Sequence, residues 1–118
     1  MLHDELVGLI DRFRPDAVAV ERVLFSANAK TAMSVGQAAG VALLVAARSG
    51  CEVAEYSPNE VKLSITGSGS ADKKAMQKMI ARLLGLAEIP TPPDAADALG
   101  LALTHVHAYK LRKVAADA

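Results

Sequence analysis

The chain has 118 residues, 52% of them hydrophobic, which is enough to bury a core of its own, and residues 1–118 are expected to form a single domain. Thirteen Lys and Arg balance thirteen Asp and Glu, so the chain lacks the positive excess by which a simple basic nucleic-acid binder declares itself. The lone Cys51 excludes an internal disulfide and fits a reducing compartment; the most apolar run, Ala38 to Ala47, is about half the length that crosses a bilayer, and no secretory leader is evident, so a soluble, cytoplasmic protein with no membrane partner is expected.

In chain order, Leu2, Leu6, Leu9, Ile10 and Phe13 recur at helical spacing until Pro15 stops the pattern, which predicts a first helix over residues 1–14. Asp16 to Glu21 is short, apolar and β-branched at alternate positions, and predicts a strand ending at Glu21. Residues 24–30 read as a loop or ragged helix start, and Thr31 to Ser49 as a long Ala/Val/Leu helix interrupted only by Gly36 and Gly40, with Gly50 as its stop. Cys51 to Tyr56 alternates as a second strand. Ser57-Pro58 opens a short helix through Val61 and Ile65, and Gly67 to Ser70 reads as a flexible link. Ala71 to Leu86 is amphipathic, the prolines at 90, 92 and 93 are a rigid break, and Asp94 to about Lys113 is a final helix whose tail is expected to fray. Strands separated by helices predict an α/β fold with parallel pairing, but two strands are too few for a protected sheet, so something that should pair with them is expected to be missing.

Three features carry chemistry, and each also has a plain structural reading. Glu21 closes an apolar strand, where carboxyl ends gather sites in open α/β sheets; it is also what the first solvated residue after a buried strand looks like. Asp94 and Asp97 lie three apart at the start of the last helix, so both can point to one spot and, with Glu21, offer hard oxygens to Mg²⁺. Equally, Asp94 can be an N-cap and Asp97 a first-turn acid favoured by the helix macrodipole. The glycine-serine stretch from Gly67 leads into Lys73 and Lys74 at a helix N-terminus, an arrangement able to receive a phosphate, or simply a capped surface helix with solvated lysines; its spacing is not that of a Walker loop. His105 and His107 lie two apart on a helix, diverge, and cannot grip one metal ion together. Gly36 and Gly40 permit close approach of another backbone, either within the domain or across a dimer seam.

Taken together, Val-Ala-Val-Glu-Arg-Val around Glu21, Asn28 and Ala29, Val35-Gly-Gln-Ala-Ala-Gly40, Val61-Lys62 with Thr66-Gly67, Gly69-Ser-Ala-Asp-Lys73 and Asp94-Ala-Ala-Asp-Ala-Leu occur in an order and at spacings that resemble the RuvC Holliday junction resolvases over nearly the whole chain. The resemblance implies a ribonuclease H-like fold and a homodimer in which each subunit nicks one of two symmetry-related strands of a four-way DNA junction, in recombination and repair. It places Glu21, Asp94 and Asp97 on the family's catalytic, metal-binding positions, and Lys62 and Lys73, with Lys74 beside them, on its DNA contacts. It implies two Mg²⁺ ions per site, with Mn²⁺ able to substitute, RuvA and RuvB as branch-migration partners, and the helix bearing Gly36 and Gly40 as the dimer seam.

The sequence departs from the family pattern in two places. The family's opening strand, whose Asp is the first catalytic carboxylate, and the two strands after it have no counterpart in these residues, so the fold is expected to be truncated by a three-strand segment, to retain two parallel strands and several helices, and to have little nuclease activity by itself. The position of the family's junction-wedging aromatic is Leu24, with Phe25 next to it as the substitute. A chain that keeps the scaffold and binds junctions or dimerises without cutting is the alternative.

Overall fold

The computed structural model describes residues 2–22 and 29–117. Leu24, Phe25 and Asn28 lie outside the described residues. The elements run α1 (Leu2–Phe13), β1 (Ala17–Glu21), α2 (Ala29–Arg48), β2 (Glu52–Tyr56), α3 (Pro58–Thr66), α4 (Lys73–Leu83) and α5 (Pro93–Asp117), the order the periodicity predicts. They divide into two compact units, Met1–Ser57 and Pro58–Ala118.

In the first unit, α1 packs on α2, and α2 in turn lies against both strands. The helix α1 ends as Arg14 enters the left-handed region at φ 46°, immediately before Pro15, a proline being hostile to a helical residue ahead of it. The two strands pair in parallel with Ala17 opposite Glu52 and Glu21 opposite Tyr56. The ladder continues one step past each end, from the Glu52 N–H to the Asp16 carbonyl (2.9 Å) and from the Arg22 N–H to the Tyr56 carbonyl (2.8 Å). Among the described residues the sheet contains only these two strands, so each keeps one edge without a strand neighbour. Val45 and Ala46 of α2 are sealed from solvent. Gly50, at φ +79°, stops α2 as the sequence predicts, because the left-handed turn that ends a helix strains any residue with a Cβ. Cys51, half-buried, turns its thiol toward the Pro15 carbonyl at 3.4 Å.

The second unit is three helices packed pairwise. Its core consists of Val61 and Ile65 from α3, Ile80 and Ala81 from α4, and Ala96 with Thr104 from α5. Ala96, Gly100 and Thr104 recur every four residues, so one stripe of α5 faces the core. A Cβ built on Gly100 would sit 3.3 Å from the Ile80 Cδ1 and 3.4 Å from the Val61 Cγ1, which is why the helix carries its smallest residue there. The buried Thr104 hydroxyl donates to the Gly100 carbonyl at 2.7 Å and so carries no unsatisfied polar cost. Two boundaries of α4 differ from the sequence expectation of 71–86. Asp72 takes the N-cap position and moves the start to Lys73, and Gly85 at φ +67° ends the helix after Leu83. Helical structure in α5 extends to Asp117.

Candidate active-site carboxylates and nucleic-acid contacts

In the first unit, β1 delivers Glu21. Residues 17–20 are half-buried, and Glu21 is the first exposed position at the carboxyl end of the strand, held there by the ladder bond that follows it at Arg22. Glu21 has no side-chain hydrogen bond or ion pair among the described residues, whereas the Arg22 guanidinium lies 3.7 Å from Glu55 on the neighbouring strand. That pair is about half exposed on both sides and is worth little to stability. Its consequence is local: the cation beside Glu21 in sequence is directed to Glu55.

In the second unit, Asp94 and Asp97 enter from the start of α5. The helix begins at Pro93, one residue earlier than expected, because proline has no N–H to leave unsatisfied and its fixed φ suits the first helical position. Asp94 is therefore a first-turn residue, where the helix dipole favours its charge, and not the N-cap. Both carboxylates are exposed. The ammonium of Lys73, the first residue of α4, lies 4.0 Å from the Asp97 carboxylate, with both side chains more than half exposed. An acidic position and a basic position predicted separately from the sequence thus meet across α4 and α5.

The segment leading to Lys73 is more organised than a glycine-serine link. Gly67 ends α3 at φ +79° with its N–H on the Leu63 carbonyl. The Thr66 hydroxyl donates to the Lys62 carbonyl at 2.7 Å and accepts from the Ser68 N–H at 3.1 Å, and the Ser68 and Ser70 hydroxyls meet at 2.9 Å. A Cβ on Gly69 would come within 2.8 Å of the Asn59 Oδ1, so a glycine lets Asn59 close over the loop. The Asp72 carboxylate accepts the Ala75 N–H at 2.8 Å. One of the amides that could have received a phosphate is thus taken by the chain's own cap, which leaves the charges of Lys73 and Lys74, both exposed, as the feature that attracts one. Lys62 is half-buried on α3.

The remaining sequence candidates separate cleanly. His107 is joined to the Ser64 hydroxyl at 2.9 Å, a bond between α5 and α3 that no local pattern in the sequence announces. A Cβ built on Gly36 or Gly40 meets nothing within 4 Å among the described residues, so the close-packing partner that the glycine spacing allows is not supplied by the described part of this chain. Within neither unit do three His, Cys, Asp or Glu side chains of described residues gather into a metal-ligand group. No helix among the described residues is long and apolar enough to cross a membrane.

A family model described as crossover junction endodeoxyribonuclease RuvC matches residues 1–105. The crossover junction endodeoxyribonuclease RuvC of Syntrophomonas wolfei is 46% identical over 110 residues, covering 93% of this chain and 64% of that protein. That of Natranaerobius thermophilus is 49% identical over 111 residues, covering 94% of this chain and 69% of its own length. The chain thus spans about two thirds of these relatives. The structure of Thermus thermophilus RuvC in complex with a Holliday junction substrate superposes with a TM-score of 0.88 at 39% identity, over 93% of this chain and 67% of that one. The fold is that of RuvC, ribonuclease H-like, with two parallel strands and five helices among the described residues. By sequence and by fold, this chain belongs to the crossover junction endodeoxyribonuclease RuvC family.

Proposed function

We propose that this chain is part of a Holliday junction resolvase, a structure-selective endonuclease that nicks symmetry-related strands of four-way junctions by Mg²⁺-dependent phosphodiester hydrolysis. The observation that carries the reading is the meeting of Asp97 and Lys73 at 4.0 Å in a chain of this family: a carboxylate suited to a hard cation stands beside a cation suited to a phosphate. Glu21, Asp94 and Asp97 are the residues that would hold the metal. They fit it in kind, since all three are exposed carboxylates offering hard oxygens, and Glu21 and Asp94 are not engaged in any ion pair among the described residues. Two Mg²⁺ ions held by these carboxylates, or Mn²⁺ in their place, would supply activation of a water and charge stabilisation at the leaving oxygen of the phosphodiester.

The chain's own contribution is placement. Lys73 and Lys74 at the head of α4, and Lys62 on α3, hold the phosphate backbone, and Leu24 and Phe25 contact junction bases. Two copies associate through the face of α2 that bears Gly36 and Gly40, which gives the two-fold symmetry that matches paired nicks. RuvA and RuvB are the partners that deliver the junction, and the work is done in the cytoplasm. Cutting is expected to need, besides Glu21, Asp94 and Asp97, the carboxylate that the family resemblance places on its opening strand.

The test is cleavage of a synthetic four-way junction with Mg²⁺ by this chain and by a chimera that carries the leading strands of a full-length relative at its N-terminus. The chimera is expected to cut, this chain is not, and Glu21→Gln in the chimera abolishes cutting. Binding without cleavage by both proteins would replace the reading with a non-catalytic junction-binding or dimerisation module.

A further inference from the structure

Lys74, Lys78 and Arg82 follow one another at four-residue spacing along α4, all three are exposed, and α4 contains no acidic residue from Lys73 to Leu83. Ile80, on the opposite face of the same helix, is buried in the core, so the basic stripe is held outward on a packed element. Four residues of helix rise about 6 Å, and the stripe therefore runs about 12 Å, the axial length of three to four phosphates on one strand of a duplex. None of the three makes an ion pair among the described residues, in contrast to Lys73, whose charge is shared with Asp97. The whole chain is neutral, but the segment Pro58–Ala118 has eight Lys and Arg against six Asp and Glu, a net of two positive charges.

We infer that α4 is a phosphate-tracking ridge, and that Lys78 and Arg82 extend the DNA contact from the head of the helix along a duplex arm. The inference rests on the proposed junction-binding reading and adds to it two residues and a direction. The chemistry favours a nucleic-acid backbone over an acidic protein face. Two of the three are lysines, which are depleted from protein interface cores and whose ammonium groups need no matched geometry to neutralise phosphates, and the guanidinium of Arg82 suits a phosphate equally. Such a contact is independent of base sequence and is read as counterion release.

The test is the salt dependence of binding of this chain to a four-way junction and to a plain duplex, by fluorescence anisotropy without divalent metal. Lys78→Gln/Arg82→Gln is compared with Lys110→Gln/Lys113→Gln, which removes the same charge from α5. Thermal melts confirm that both variants fold, as expected for exposed side chains. Loss of two phosphate contacts lowers the slope of log K against log salt by about 1.8, so the affinity deficit of the α4 variant shrinks about 12-fold between 50 and 200 mM salt. The α5 variant is expected to leave the slope within about 0.5 of the parent. An unchanged slope in the α4 variant, or an equal drop in both, overturns the ridge while leaving junction binding intact. Failure of the parent chain to bind either DNA overturns both the ridge and the reading on which it rests. A loss of binding to an acidic polypeptide such as polyglutamate, with DNA binding unaffected, reassigns the stripe to a protein partner.

Discussion

The face of α2 that bears Gly36 and Gly40 makes opposite predictions for the monomer and for the dimer. A Cβ at either position meets nothing within 4 Å among the described residues, so Gly36→Ala and Gly40→Ala carry no steric cost within the described chain. Each relieves the backbone-entropy penalty of glycine inside a helix, about 0.8–1.0 kcal/mol, and the pair together should stabilise the monomer by about 2 kcal/mol. For a chain of this size that is a rise in midpoint of roughly 8 °C. The same methyl groups hold a partner helix away if two copies meet there; overpacking of this kind costs about 1–3 kcal/mol, which weakens dimerisation roughly 5- to 150-fold. Thermal melts at high dilution read the first effect, and sedimentation equilibrium over a concentration series reads the second. A lower midpoint in the dilute double variant would mean that this chain packs another of its own elements on the glycines, and the reasoning would fail. A raised midpoint with unchanged association would place the dimer seam elsewhere.

Other perturbations bear on the second unit and on the chemistry. Ile80→Ala removes the most completely buried large side chain among the described residues, 1% exposed, and should cost about 3 kcal/mol in urea unfolding; a loss under about 1 kcal/mol would mean that α4 is not held by this contact. Asp72→Ala deletes the N-cap on the Ala75 N–H and should cost about 1 kcal/mol, with Asp72→Asn retaining most of the stability because its carbonyl can still accept that bond. In the junction-cutting chimera, Asp97→Asn should lower the single-turnover rate roughly 10⁴-fold with junction affinity nearly unchanged, and a rate within about tenfold of the parent would remove Asp97 from the metal-binding set.

The elements themselves were legible in the sequence because their signals are local. The change from period 3.6 to alternation marks β1 and β2, Gly50 and Pro58 mark the end of one helix and the start of another, and the seven elements follow in the order these signals predict, although α2 starts two residues before the expected Thr31, α4 is shorter and α5 runs on to Asp117 where fraying was expected. The errors occur where two local signals compete. Gly67 to Ser70 has the composition of a linker, but Thr66, Ser68 and Ser70 bond to one another and Asn59 fills the space above Gly69, so the same residue types yield an organised loop. Asp72 was readable as an N-cap from its position just before the lysines, and Gly85 as a stop from its place after Leu84; together they shorten α4 at both ends. What no local reading could supply is contact between distant residues. Ser64 with His107, Gly100 beneath Ile80 and Val61, and Lys73 beside Asp97 each join different helices, and periodicity says which face a residue occupies but not what faces it.

Net charge illustrates the same limit in electrostatics. A neutral total is a poor argument against a nucleic-acid partner, because a phosphate responds to charges within about one Debye length, about 8 Å at physiological salt, and not to the sum over a chain. The segment Met1–Ser57 has seven Asp and Glu against five Lys and Arg, the excess lying opposite in sign to that of Pro58–Ala118. Carboxylates that must hold a divalent cation and lysines that must hold a polyanion are both required of a metal-dependent nuclease, and each set cancels the other in the total. Balance is therefore compatible with such chemistry, and the informative quantity is the separation of the two signs along the chain, with Glu21 on the acidic part and the α4 stripe on the basic one.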